Sequence, residues 1–117
     1  MNALELLQNH PKAGEEIKKI YLQDLVNSLD SYPEEFRAAA LEMGISDDRI
    51  AALMEVSPRA LFDVFDSYKI CIETIVDTDG GFWWKIGDTQ SSIGYEFRKN
   101  CDSAAITEAF KLLEEKL

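Results

Sequence analysis

The apolar residues of this chain change their period once, near Tyr68 and Lys69, and that change limits the folds open to it. Before it, apolar side chains recur at three- and four-residue steps, the repeat of a helix with one buried face. After it they alternate, the repeat of a strand with one buried face. The order predicts an α+β chain: helices over about residues 1–68, then a three-stranded antiparallel meander and a closing helix over about 69–117, within one domain. With 117 residues, 46% of them hydrophobic, the chain can bury a core without disulfide staples.

About four helices are expected in the first part. Residues 14–30 align Ile17, Ile20, Tyr21, Leu25 and Leu29 on one stripe. Pro33 opens a second helix, Glu34 and Glu35 complement its dipole, and Gly44 closes it, with Phe36, Ala40, Leu41 and Met43 expected to face inward. Ser46 caps a third helix that begins with Asp47 and Asp48. Ser57 followed by Pro58 signals a fourth, running to Tyr68.

In the second part, KICIETIVD, FWWKI and SIGYEFR alternate as strands. Ile70, Ile72, Thr74, Val76, Phe82, Trp84, Ile86, Ile93, Tyr95 and Phe97 share one face. DTDGG and GDTQSS between them carry the residues of tight hairpin turns. Asp102 or Ser103 is expected to cap the last helix, whose Ile106, Ala109, Phe110 and Leu113 cover the apolar face of the sheet. Read from the fourth helix onward, the order α-β-β-β-α is also that of a double-stranded-RNA-binding domain. The lysine cluster that such a domain carries at the start of its last helix is missing: Arg98 and Lys99 precede the helix, but Asp102 and Glu108 lie in it.

Charge narrows the partners. Acids outnumber bases 22 to 12, a formal charge of −10, which repels nucleic acid and anionic lipid and attracts basic partners. Cys71 and Cys101 have no metal-ligand spacing and are expected as reduced thiols. The N-terminal MNALELLQNHPKAG lacks a basic start and an apolar run, so a cytoplasmic location is the default expectation.

The most specific local pattern is SDDRIAALMEVSPRALFDVF, residues 46–65. Its Ile50, Ala51, Met54, Val56, Leu61 and Val64 fall where helix-turn-helix domains place the residues that lock two helices together, and the segment resembles that family. The family usually has glycine at the corner, where this chain has Glu55. The resemblance implies a DNA-reading second helix presenting Arg59, Phe62, Asp63 and Asp66. Charge opposes that role, because affinity for duplex DNA comes largely from cations that neutralise phosphates. Residues 38–67 hold six acids against two bases, Arg49 and Arg59. An outward Phe62 ringed by acids suits a protein contact better.

Trp83 points away from Trp84, on a face with Cys71, Glu73, Ile75, Lys85, Glu96 and Arg98, and is a second candidate anchor. Cover by the N-terminal helices, or by a second copy of the chain, is the expected arrangement there. DTDGG lacks the spaced oxygens and distant glutamate of a calcium loop, so a hairpin turn is expected and no metal or cofactor. His10, the only histidine, falls in a polar N-terminal tail with no acid, base or nucleophile assigned beside it.

The expectation is a small acidic, non-enzymatic interaction or accessory protein, of bacterial or phage style, whose contact residues are Arg59, Phe62, Asp63, Asp66 and Trp83. A DNA-binding helix-turn-helix regulator is the alternative. A homodimer is left open, and neither nucleic acid nor membrane is the expected partner.

Overall fold

A computed structural model describes residues 1–117. In order the elements are α1 (Ala3–Asn9), α2 (Pro11–Ser28), α3 (Glu34–Met43), α4 (Asp47–Val56), α5 (Ala60–Ser67), β1 (Ile72–Val76), β2 (Phe82–Ile86), β3 (Thr89–Gln90) and α6 (Arg98–Lys116). The α+β expectation holds, with α6 packed on an antiparallel sheet of order β1-β2-β3. No helix is long and apolar enough to cross a membrane.

Five helices precede the sheet, not four. The segment read as a polar tail forms α1, capped by the Asn2 carboxamide, which accepts from the Glu5 N–H. Ala3, Leu6 and Leu7 then enter the core, a pattern too short to stand out by period. His10 joins α1 to α2; its Nδ1 lies 2.9 Å from the Leu6 carbonyl and its ring packs on Phe110. Helix α2 starts three residues earlier than expected, with Pro11 at its first position. No local side chain caps it. Glu114, 101 residues away on α6, accepts from the Ala13 N–H at 2.9 Å and does so instead.

The core gathers α1, the first half of α2, α4, α5, α6 and the inner face of the sheet. Phe65 and Phe110 meet edge to face at its centre, with centroids 5.6 Å apart. Ile17, Ile50, Met54, Leu61, Ile106 and Leu113 are fully buried around them.

Helix α3 lies outside that core. Gly44 closes it at φ 69°, as expected, but no residue of α3 is buried. Phe36, Leu41 and Met43, expected inward, are exposed, and Ala40 is half-buried. The reason is where α3 rests: it leans on α2, whose later turns have already left the core, so Val26 is buried without joining the main cluster. The radius of gyration is accordingly 15.9 Å, against roughly 13 Å for a compact chain of this length.

Ser46 caps α4 as expected, accepting from the Arg49 N–H at 3.3 Å. Ser57 does not cap α5. Its carbonyl accepts from Ala60 in a tight turn, and the helix begins at Ala60 instead of Pro58. At its other end, Lys69 adopts φ 62° while the Ile70 N–H reaches the Phe65 carbonyl and the Lys69 N–H the Asp66 carbonyl. This is a Schellman closure with lysine at the position usually held by glycine.

The β1 and β2 register pairs Ile72 with Ile86, Thr74 with Trp84 and Val76 with Phe82, the face expected. DTDGG is a hairpin turn in which the Asp77 N–H donates to the Gly81 carbonyl. Gly87 and Asp88 form the next, with Gly87 at φ 58°, the conformation a primed turn demands at its first central position. The third strand is not SIGYEFR. It spans Thr89–Gln90, and the Ser91 N–H still reaches the Trp84 carbonyl, but the Trp84 N–H finds the Ser91 hydroxyl where a strand carbonyl belongs. The chain then bulges and rejoins at Tyr95, bridged to Phe82. Ile93 and Phe97 are left exposed, and the last helix starts at Arg98, with Phe97 in the cap position expected of Asp102 or Ser103.

Candidate functional site

The candidate contact residues of α5 do not share one environment. Arg59, expected to face outward, turns to α6: its Nε donates to Asp102 Oδ2 at 3.0 Å and its Nη2 to Asp102 Oδ1 at 3.1 Å. This bidentate pair is possible because α6 begins early, placing Asp102 in its second turn with a side chain only 10% exposed. The guanidinium carbon also lies 4.8 Å from the centre of the Phe62 ring, which is half-buried against the core. Arg59 is therefore half-exposed and engaged on two sides.

Asp63 and Asp66 remain open to solvent. So do Asp48 and Glu55, although Glu55 lies 3.4 Å from the Ala3 N–H at the start of α1. Of the residues expected to lock the corner, Ile50, Ala51, Met54, Leu61 and Val64 are buried, while Val56 is 84% exposed at the end of α4. Helix α4 packs mainly on α1, and α5 on α6, so the two helices of the corner are held by other elements.

Behind Asp102, Cys101 is fully buried. Burial pushes its thiol pKa up and Asp102 adds to the rise, while Arg98 and Arg59 oppose it. Cys101 thus stays a protonated core thiol at neutral pH. Cys71 is free and exposed.

Trp83 lies across β2 from Ile75 in β1 and is half-buried. Within the chain it is the bulge after β3 that lies against the ring. A Cβ built on Gly94 would stand 3.0 Å from the indole, so the bulge packs its backbone on the ring. Beside it opens a shallow recess of about 310 Å³ edged by Asp77, Asp79 and Glu96. Arg98, expected on this side, instead stacks on Phe82, its guanidinium carbon 4.8 Å from the ring centre.

Sequence reasoning missed apolar side chains that the chain leaves open around α3. Tyr32, Phe36, Leu41 and Met43 are 54%, 61%, 49% and 86% exposed on and before α3. Their spacing was visible, but helical spacing says only that a face is apolar, not that this chain covers it.

No protein family, curated protein or solved structure matches the chain.

Proposed function

We propose that this chain is a non-enzymatic, cytoplasmic protein-interaction module that recognises a positively charged protein partner. The observation that carries the reading is the engagement of Arg59 by Asp102. It withdraws the cation that a DNA-reading α5 needs and leaves Asp63 and Asp66 on the open side of that helix. With a formal charge of −10, phosphate backbones are repelled over the whole approach, whereas lysine- and arginine-rich surfaces are drawn in.

The alternative, a helix-turn-helix regulator, is supported by the burial of Ile50, Ala51, Met54, Leu61 and Val64 along α4 and α5. One titration separates the two. Labelled random duplex DNA and a labelled lysine-rich peptide are each titrated with the protein by fluorescence anisotropy at about 20 mM salt, where non-specific DNA affinity is greatest. The proposal expects the peptide to bind and release as salt rises, with DNA unbound. Salt-sensitive DNA binding that Arg59→Ala weakens would establish the regulator in its place.

A further inference from the structure

The α2–α3 arm is an incomplete helical layer. α3 has ten residues, fewer than an isolated helix needs to hold in water, and none of them is buried. Only Arg37 and Ala40 on α3 are even half-buried. At 100° per residue, Phe36, Ala39 and Met43 fall together on the flank beside that contact, and Tyr32 tilts its ring against Phe36 with centroids 6.2 Å apart. Glu35 and Glu42 border the flank on its far side by the same spacing. The result is an apolar stripe at i, i+3 and i+7 with an acidic margin, lying open to solvent.

Charge says what can cover it. Between residues 22 and 44 the acids are Asp24, Asp30, Glu34, Glu35 and Glu42, and the single base is Arg37, 3.6 Å from Asp30. Asp24, Glu34, Glu35 and Glu42 have no ion-pair partner. A second copy laid on this flank brings the same carboxylates against one another, and an anionic bilayer is repelled for the same reason. A helix with its own apolar stripe and a lysine or arginine margin meets both the stripe and the charge.

We propose that the open flank of α3, formed by Tyr32, Phe36, Ala39 and Met43 and edged by Glu35 and Glu42, is a docking site for a basic amphipathic helix of a partner protein. The proposal rests on the reading of the chain as a binder of positively charged partners and adds where and in what conformation the partner is held. The arriving helix covers Phe36 and Met43 as α2 already covers the adjacent side of α3, turning a two-helix arm into a three-helix layer.

The test uses three synthetic peptides of about 18 residues titrated against the full chain by fluorescence anisotropy and circular dichroism. One is a leucine–lysine peptide with leucine at helical spacing, the second is its scramble with the same composition, and the third is the leucine–glutamate counterpart. The expected result is binding of the first with a gain in helicity, at least about tenfold weaker binding of the scramble, and none of the acidic peptide. Phe36→Asp and Met43→Asp should each weaken the first by about tenfold or more, as loss of an interface anchor does. Met43 is 86% exposed, so its replacement leaves the fold intact, and the thermal midpoint confirms that in the same samples.

Undiminished binding to both variants overturns the site while leaving the basic-partner reading in place. Equal binding of the peptide and its scramble overturns the helix-docking idea in the same limited way. Failure of both basic peptides to bind at about 20 mM salt overturns the site and the wider reading together. A dimer mass by light scattering that Met43→Asp reduces to the monomer assigns the flank to a second copy and overturns the proposal.

Discussion

Arg59 and Asp102 face each other across the junction of α5 and α6, joined by two hydrogen bonds of 3.0 and 3.1 Å between the flat guanidinium and the carboxylate. The pair ties the last turn before α5 to the second turn of α6. Its two ends differ in exposure: half of the Arg59 side chain is open, while only a tenth of Asp102 is. Removing the arginine leaves a mostly buried carboxylate without its partner, which costs more than removing an exposed charge. Arg59→Ala should lower stability by about 2 kcal/mol in urea denaturation, after allowance for solvent screening on the open side. Asp102→Leu in the same background should recover part of that loss, and a double variant no more stable than Arg59→Ala alone would show that the pair contributes little.

Gly14 makes a contrary case, in which helix propensity and packing disagree. It lies inside α2, where alanine is ordinarily better by about 1 kcal/mol. A Cβ at this position would stand 2.9 Å from the Leu7 carbonyl oxygen of α1, backbone that cannot swing aside as a side chain can. The crossing of α1 and α2 depends on that missing atom. Gly14→Ala should therefore destabilise by about 1–3 kcal/mol, the usual range for overpacking, and thermal unfolding monitored by circular dichroism reads the sign directly.

These two sites also separate what was legible in the sequence from what was not. The change of period at Lys69, the cap at Ser46, the stop at Gly44 and the shared face of Ile72, Thr74, Trp84 and Ile86 are local patterns, each confined to a few residues, and each appears in the structure. Arg59 with Asp102 and Glu114 with the Ala13 N–H join residues far apart in the chain, and no local pattern announces them. The third strand failed for a related reason. SIGYEFR alternates well, but Gly94 is needed against the Trp83 ring, and the bulge that brings it there breaks the ladder. At the candidate surfaces, type was legible and exposure was not: helical spacing put Phe36 inward and Phe62 outward, yet Phe62 is half-buried and Phe36 is 61% exposed.

The Tyr68 hydroxyl donates to Glu16 Oε2 at 2.8 Å, linking the end of α5 to α2, and this bond makes stability depend on pH at both extremes. The Tyr68 bond, followed by Lys19, holds the Glu16 carboxyl below its ordinary value of 4.5. A depressed carboxyl pKa contributes stability that is complete above 4.5 and lost as pH falls through the lower folded value. Tyr68 itself is raised above its ordinary 10.0, chiefly by Glu16, so its contribution is complete below 10.0 and lost as pH rises through the folded value. Tyr68→Phe should lower stability by an amount that is constant at neutral pH and shrinks on both sides of that range. Urea midpoints of the two proteins from pH 3 to pH 11 check this, and a difference that grows on acidification would exclude the bond as its source.

Lys69 carries the last expectation, at the point where helix gives way to sheet. The Schellman closure of α5 needs a left-handed residue there, and a side chain in that conformation costs about 1 kcal/mol relative to glycine. The side chain makes no hydrogen bond or ion pair that would offset the cost, and the buried Phe65 and Ile70 that accompany the motif do not involve it. Glycine at this position also gains freedom in the unfolded chain, which opposes part of the benefit. The balance favours a gain of about 0.5 kcal/mol for Lys69→Gly and a clear loss for the β-branched Lys69→Val, which tolerates positive φ poorly. Thermal midpoints ordered glycine, lysine, valine from highest to lowest are expected, and valine at or above lysine would mean that the backbone here escapes the left-handed conformation at little cost.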